Sequence, residues 1–297
     1  MSAARLCVFG EVLFDHFPDG KQVLGGAPFN VAWHLQAFAQ APYFISRVGD
    51  DAEGESVRTA MRDWGMDLNG LQTDPQRATG QVSVRFVDGE PSYEIVEDCA
   101  YDAIDAAQLA STACRLLYHG SLALRDSTSS QAAASLRACQ PDTVFIDVNL
   151  RPPWWQREQV LATLREADWV KLNSAELDLL YPADGSMASR LSSVLAEFGL
   201  QGVVLTQGSA GAEILTASGE HFQVMPEEKV EVVDTVGAGD AFASVIILGL
   251  ANDWPLALSL QRAQQFASKI VGNRGATVSD QAFYQPFIAA WQMNHQS

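Results

Sequence analysis

DTVGAGDAFAS, residues 234–244, sets a glycine turn directly in front of an apolar run. Such a stretch predicts a loop that opens into a helix, with the first N–H groups left without partners inside it. Those groups and the positive end of the helix dipole attract anions. Two carboxylates nevertheless flank the place, Asp234 before the glycines and Asp240 directly after them. One reading is architectural: a glycine-rich turn with an aspartate as cap is common at helix starts. The other is chemical. In phosphoryl transfer an acceptor hydroxyl loses its proton as it attacks a γ-phosphate, and a neighbouring carboxylate accepts that proton while backbone N–H groups steady the charge. On this reading Gly237, Ala238 and Gly239 form the anion hole and Asp240 is the general base at its rim. Asp234 either holds a cation or braces the turn. The dinucleotide pattern G-x-G-x-x-G fails, because Phe242 stands at the third glycine, and no Walker A sequence occurs.

Composition narrows the partners. The formal net charge is −17 and no basic cluster breaks it, which argues against nucleic acid and anionic membrane surfaces. A phosphate ligand must therefore be held by backbone N–H groups, a few placed cations and a metal ion. Cys7, Cys99, Cys114 and Cys139 form no CxxC pair and read as buried reduced thiols, as in a cytosolic chain. The start, MSAARLCVFGE, meets Glu11 after a short apolar run, unlike a signal peptide, and SVIILGLA is too short to span a bilayer. A soluble cytoplasmic protein is expected.

Buried strands are predicted at LCVFGEV, YFISRVG, RLLYHGS, TVFIDVN, WVKLN and GVVLTQG. Between them NVAWHLQAFA, GESVRTAMRDW, SSQAAASLRAC, REQVLATLREA and SSVLAEFG carry helical periodicity. The alternation predicts an α/β fold, a doubly wound and mostly parallel sheet flanked by helices. QVSVRFVDGEPSYEIVE breaks the rhythm, alternating around Asp88-Gly89, a strong hairpin signal. It reads as a small β element standing off the main body with an extended piece from about 12 to 24, either a lid over a cleft or a plain edge hairpin. No linker or repeat appears, so residues 1–297 are read as one domain with a lid formed by about 12–24 and 80–98.

DTVGAGDAF resembles the C-terminal signature of the ribokinase-like (PfkB) carbohydrate kinases, and other motifs follow in that family's order. In GEVLFD the family's aspartate matches Asp15, which would bond sugar hydroxyls; by itself a charged residue at a strand end is usually just solvated. GGAPFNVA, residues 25–32, is similar to the N-terminal signature, where Gly26 and Asn30 would face the sugar; Asn30 alone could be a local cap. Fructokinases tend to read GGAPxN, and Phe29 is bulkier than the small residue common there. RVGDDAEG, residues 47–54, resembles a structural turn. DVNLRPPWW, residues 147–155, matches the fructokinase pattern D-x-N-L-R-P, where Arg151 would clamp a phosphate or a sugar oxygen; a surface ion pair is its plain alternative.

KLNSAEL, residues 171–177, spaces Asn173 and Glu176 as a capping box. The resemblance adds that Asn173 lies near the nucleotide and that Glu176 organises Mg2+, through water because magnesium keeps much of its hydration. In LTQGSAG the resemblance places Thr206, Gly208 and Gly211 along ATP, against a plain strand-turn-strand. GNRGATVS, residues 272–279, would border the adenine and a monovalent cation, with Asp234 and the Val236 carbonyl as ligands for K+. The resemblance thus implies an ATP- and Mg2+-dependent kinase of a small sugar, most simply fructose. Another sugar, a sugar acid or a nucleoside as acceptor, and a non-catalytic sugar or nucleotide sensor, are the alternatives; a nicotinamide dehydrogenase lacks its fingerprint. Exposed lid strands could pair two copies into a homodimer.

Overall fold

The β-branched runs become strands and the amphipathic runs become helices in the computed structural model, which describes residues 5–87, 90–109, 113–182, 185–226 and 232–293. These cluster in two compact units. The first holds the described residues through Cys114, Ala123–Gln140 and those from Thr277 onward; the second holds Arg115–Leu122 and Pro141–Ala276.

In the first unit β1 (Arg5–Phe9), β4 (Tyr43–Gly49) and β5 (Leu71–Asp74) run parallel, with Cys7 opposite Tyr43 and Ser46 opposite Leu71. Around them come α1 (Ala27–Ala37), α2 (Ala52–Asp63), α3 (Ser127–Ala138) and α9 (Gln281–Ala290). A separate four-stranded sheet has the order β3-β2-β6-β7, from β2 (Leu13–His16), β3 (Gln22–Gly25), β6 (Gly80–Val87) and β7 (Glu90–Ile95). The β2–β6 pair is parallel, while β2–β3 and β6–β7 are antiparallel. Val87 pairs with Glu90; Asp88-Gly89, the expected turn, lies outside the described residues. The alternating hairpin therefore belongs to its own sheet, paired with the segment after β1.

In the second unit β8 (Cys114–His119, from its second residue on), β9 (Thr143–Asp147), β10 (Trp169–Asn173) and β11 (Gly202–Thr206) are parallel neighbours in chain order. Beyond them β12 (Ala212–Thr216) and β13 (His221–Val224) turn back antiparallel. Period-two alternation sorts the side chains onto two faces. Val144, Ile146, Val170, Leu172, Val203 and Leu205 join one apolar cluster with α4 (Arg157–Leu164), α5 (Ser174–Leu180) and α6 (Met187–Phe198). Each such side chain, fully buried, contributes about 1.5–3 kcal/mol. The other face carries Asp147, Lys171 and Val204; α8 (Leu256–Val271) packs on β12 and β13, and α7 (Ala238–Ala251) packs on α8.

Several features depart from the sequence reading. β5, β12, β13, α8 and α9 fall where no element is predicted, and LTQGSAG runs from β11 through a turn into β12. All four cysteines are free thiols, but Cys139 is exposed, in contrast to the expectation that all are buried: it closes the exposed end of α3, its thiol directed to the Ser135 carbonyl. Among the described residues no helix is long and apolar enough to cross a membrane.

Candidate active site

The glycine stretch forms the start of α7. Gly237 is the N-cap residue with φ 77°, and no side chain caps this helix. A Cβ on Gly237 would approach Ala276 Cβ to 2.3 Å, so both the backbone angle and the close passage of residue 276 require glycine. Ala238 N–H reaches the Thr235 carbonyl at 3.3 Å, so it is partly engaged. Gly239 is exposed, and Asp240, partly exposed, sits in the first helical turn, where a carboxylate complements the dipole. Asp234 accepts from Val236 N–H through Oδ1 and from Gly275 N–H through Oδ2, both at 3.0 Å. These bonds brace the turn against the loop at 272–276. Val236 is exposed beside it.

The carboxyl ends of β9, β10 and β11 gather a second set. Asp147 is paired in register with Lys171, and Asn173 with Thr206. Asn173 and Glu176 make the reciprocal capping box: Asn173 Oδ1 accepts from Glu176 N–H at 2.9 Å, and Glu176 Oε2 accepts from Asn173 N–H at 2.8 Å. Glu176 Oε1 accepts from Leu150 N–H at 2.8 Å. Burial pushes the Glu176 carboxyl above its ordinary value, and nearby Asp147 adds to that.

Lys171 is the residue that motif reading passed over. Its Nζ donates to Asp147 Oδ2 at 2.7 Å, with both side chains buried. Burial pulls the Lys171 ammonium down, but Asp147 and its hydrogen bond, with Glu176 and Asp240 behind them, hold it above its usual value. A Cβ on Gly239 would lie 3.5 Å from Lys171 Nζ, which places the ammonium against the first turn of α7. The sequence did hold a signal: one lysine inside WVKLN, a strand otherwise too apolar to leave it in water.

Arg151 is exposed, its Nη1 directed to the Leu150 carbonyl at 3.2 Å, and it has no carboxylate partner among the described residues. Among those residues the surface ion pair is not made. After Thr206, Gly208 turns with φ 57° and Gly211 with φ 94°; a Cβ on Gly211 would meet the Val224 carbonyl at 1.9 Å, while around Gly208 there is open space.

The first unit holds the other group. Asp15 lies on β2 opposite Val23, and a Cβ on Gly25 would sit 3.8 Å from Asp15 Oδ2. Gly26 has φ 110° and is the uncapped N-cap of α1; a Cβ there would meet the Glu11 carbonyl at 2.6 Å. Pro28 occupies the first turn as expected. Asn30 is not the cap: it is buried inside the helix, its N–H bonded to the Gly26 carbonyl at 2.8 Å. Phe29 turns into the core, with ring centroids 5.6 Å from Trp33 and 5.7 Å from Phe44, so its bulk is spent on packing. In RVGDDAEG, Asp51 accepts from Gly54 N–H, Thr79 N–H and the Thr79 hydroxyl, a structural duty as read.

The residues expected at the site thus fall into two groups: Asp15, Gly26 and Asn30 in one unit, and Arg151, Asn173, Glu176, Thr206, Gly208, Gly211 and the 234–240 turn in the other. An uncapped glycine turn with an aspartate in its first helical turn and a buried lysine behind it is an arrangement for group transfer onto or from an anion. The model of the pfkB family carbohydrate kinases matches residues 5–282. The chain belongs to that family, and it is a phosphotransferase with an alcohol as acceptor. A fructokinase of Klebsiella pneumoniae is 32% identical over 263 residues, 83% of this chain and 84% of the relative. An aminoimidazole riboside kinase of Salmonella typhimurium is 28% identical over 294 residues, 92% of this chain and 90% of that one. The crystal structure of a Vibrio cholerae fructokinase with fructose, ADP and calcium ion bound superposes with a TM-score of 0.79 at 26% identity, covering 96% of this chain and 99% of that one.

Proposed function

We propose that this kinase transfers the γ-phosphoryl group of ATP to a hydroxyl of fructose. The observation that carries the transfer step is the open start of α7, with Asp240 in its first turn. Asp240 accepts the proton of the sugar hydroxyl as that oxygen bonds to the γ-phosphorus; the bond to the β–γ bridging oxygen breaks and ADP leaves. N–H groups of Gly237, Ala238 and Gly239 face the charge on the phosphoryl oxygens, a role that the engaged Ala238 N–H fills only on releasing Thr235.

Asp15, Gly26 and Asn30 bind the sugar, and Arg151, with no carboxylate to hold it among the described residues, supplies a cation for sugar or phosphate. Asn173, Thr206, Gly208 and Gly211 line the nucleotide. The four-stranded sheet closes as a lid over the sugar within a single kinase domain and excludes water; its exposed Tyr93 and Val96 offer a surface for a second copy. The free thiols fit a cytoplasmic location.

Mg2+ fits this donor set through water only. Each Glu176 oxygen already accepts one backbone N–H and retains a lone pair, and no group of three metal-binding side chains exists among the described residues. When bound with the nucleotide, magnesium supplies the positive charge that neutralises the triphosphate. Asp234 and the Val236 carbonyl are the proposed ligands for K+, with Asp234 offering lone pairs that the brace leaves over.

Fructose is favoured by GGAPFN and DVNLRP and by the relatives named fructokinase. The aminoimidazole riboside kinase relative supports a nucleoside as the alternative acceptor. ADP release from Mg-ATP, measured across fructose, ribose, other hexoses, sugar acids and nucleosides, separates them. Strong stimulation by fructose alone is expected. Stimulation by another acceptor discards the substrate and keeps the mechanism, and no stimulation by any discards both.

A further inference from the structure

Asp147 opens DVNLRP and Lys171 opens KLNSAEL, yet neither carries a role in the proposed transfer, and the pair stands against the first turn of α7. Both side chains are buried, and Asp147 is satisfied at Oδ2 only; its Oδ1 has no hydrogen-bond partner among the described residues. A pair kept for stability alone is poorly made in this form, since a buried ion pair returns its desolvation cost only when the remaining polar atoms are satisfied. The position is more informative than the pairing. Strand alternation turns Asp147 and Lys171 away from the apolar cluster of α4–α6 and towards the α7 face. Lys171 Nζ then stands 3.5 Å from where a Gly239 Cβ would be, one residue before Asp240. The charged groups acting on it are Asp147 from β9, Glu176 from α5 and Asp240 from α7, three carboxylates around a single cation.

We propose that Lys171, held in place by Asp147, is a positioning residue for the transfer step: its buried positive charge against Gly239 keeps the Asp240 carboxylate ionised while a triphosphate is bound beside it. This rests on the kinase reading of Asp240. Without the lysine, the phosphate oxygens favour a protonated Asp240, which cannot accept the sugar proton. Lys171 acts through Asp240 and touches neither reacting atom. The open turn of α7 thus has a counter-charge supplied from a neighbouring strand, which offsets the carboxylate that the anion hole would otherwise resist.

The test compares Asp147→Asn with the double variant Lys171→Met/Asp147→Asn. Neither leaves a stranded buried carboxylate at 147, so the comparison isolates the lysine charge. Thermal unfolding of both variants checks that each is folded. The double variant is expected to move the acid limb of the kcat profile up by about one pH unit, a tenfold loss on that limb, with the sugar KM changed less than about twofold. An acid limb at the same pH in the two variants overturns the proposal. A second readout does not need turnover: a carboxyl carbon NMR titration, with Asp240 assigned by the signal missing in Asp240→Asn. Its midpoint is expected to rise by a similar amount in the double variant, and an unmoved midpoint overturns the proposal. A moved midpoint in a protein that phosphorylates no acceptor removes the kinase reading and leaves the electrostatic coupling standing.

Discussion

Two helix starts in the second unit follow opposite rules. α5 closes its own end: Asn173 and Glu176 exchange hydrogen bonds with each other's backbone, and Glu176 takes Leu150 N–H as well. α7 begins on Gly237 and has no side-chain cap. In the first unit α2 is capped by Asp51, whereas α1 starts on Gly26 with no side-chain cap. The glycine-led starts coincide with the two stretches whose motifs point to ligands. An open helix end forgoes a stabilising cap and keeps backbone N–H groups available, whereas a capped end spends them on the fold. The difference is the one that the proposed transfer step at α7 needs, although α4 and α8 also start without a side-chain cap.

The largest expected effect breaks the comparison at α7. Asp240→Asn removes the proton acceptor without removing packing, so kcat should fall by about 10²–10⁴-fold with the melting temperature nearly unchanged. Near-normal turnover would return Asp240 to the role of a dipole-complementing residue. Next comes the turn itself. Gly237→Val puts a side chain at φ 77° and into Ala276, and should cost roughly 1–3 kcal/mol or more in denaturant unfolding. Gly239→Ala meets Lys171 at ordinary contact distance and should stay within about 0.5 kcal/mol of wild type. Equal losses at the two glycines would show that the strain argument for residue 237 is wrong.

At the capped end, Asn173→Ala should cost about 1 kcal/mol, the usual loss of a side-chain cap, read as a small drop in the unfolding midpoint. A change beyond about 2 kcal/mol would mean that Asn173 does more than close α5. The smallest effect is a pH dependence at α2. Burial would raise the Asp51 carboxyl, but the N–H groups of Thr79 and Gly54 outweigh it and hold the group below its ordinary 3.8. A carboxylate held low in the folded state stabilises it above the unfolded value, and that contribution fades as pH falls through the folded one. The stability gap between wild type and Asp51→Asn should therefore narrow below about pH 4. A gap of constant size down to acid unfolding would remove charge from the account of Asp51.

The sequence disclosed the layers well because alternation and helical periodicity are local. The runs at 143–149, 169–173 and 202–208 became β9, β10 and β11, with DVNLRP and KLNSAEL at their carboxyl ends. β12 and β13 went unread because AEILT and HFQV are short and antiparallel, and their burial depends on α8, a partner distant in sequence. At the site, motif residues were legible as residue types, but their side-chain directions were not. Phe29 sits inside a ligand motif and points into the core. Lys171 sits inside a strand motif and points at α7, because a strand side chain's environment is set by whatever covers that face. Asp234 and Glu176 could be read as ligands or as braces; the structure shows their bracing bonds, and these leave lone pairs on both carboxylates for the second role.

Backbone amide NMR of the protein with a non-hydrolysable ATP analogue, Mg2+ and fructose is the most direct measurement of the contrast between the two helix starts. The account predicts the largest shifts at the amides of Gly237, Ala238 and Gly239, with the Glu176 amide little moved because Asn173 already holds it. Shifts concentrated at the start of α5, with those of α7 unmoved, would contradict the placement of the phosphoryl group.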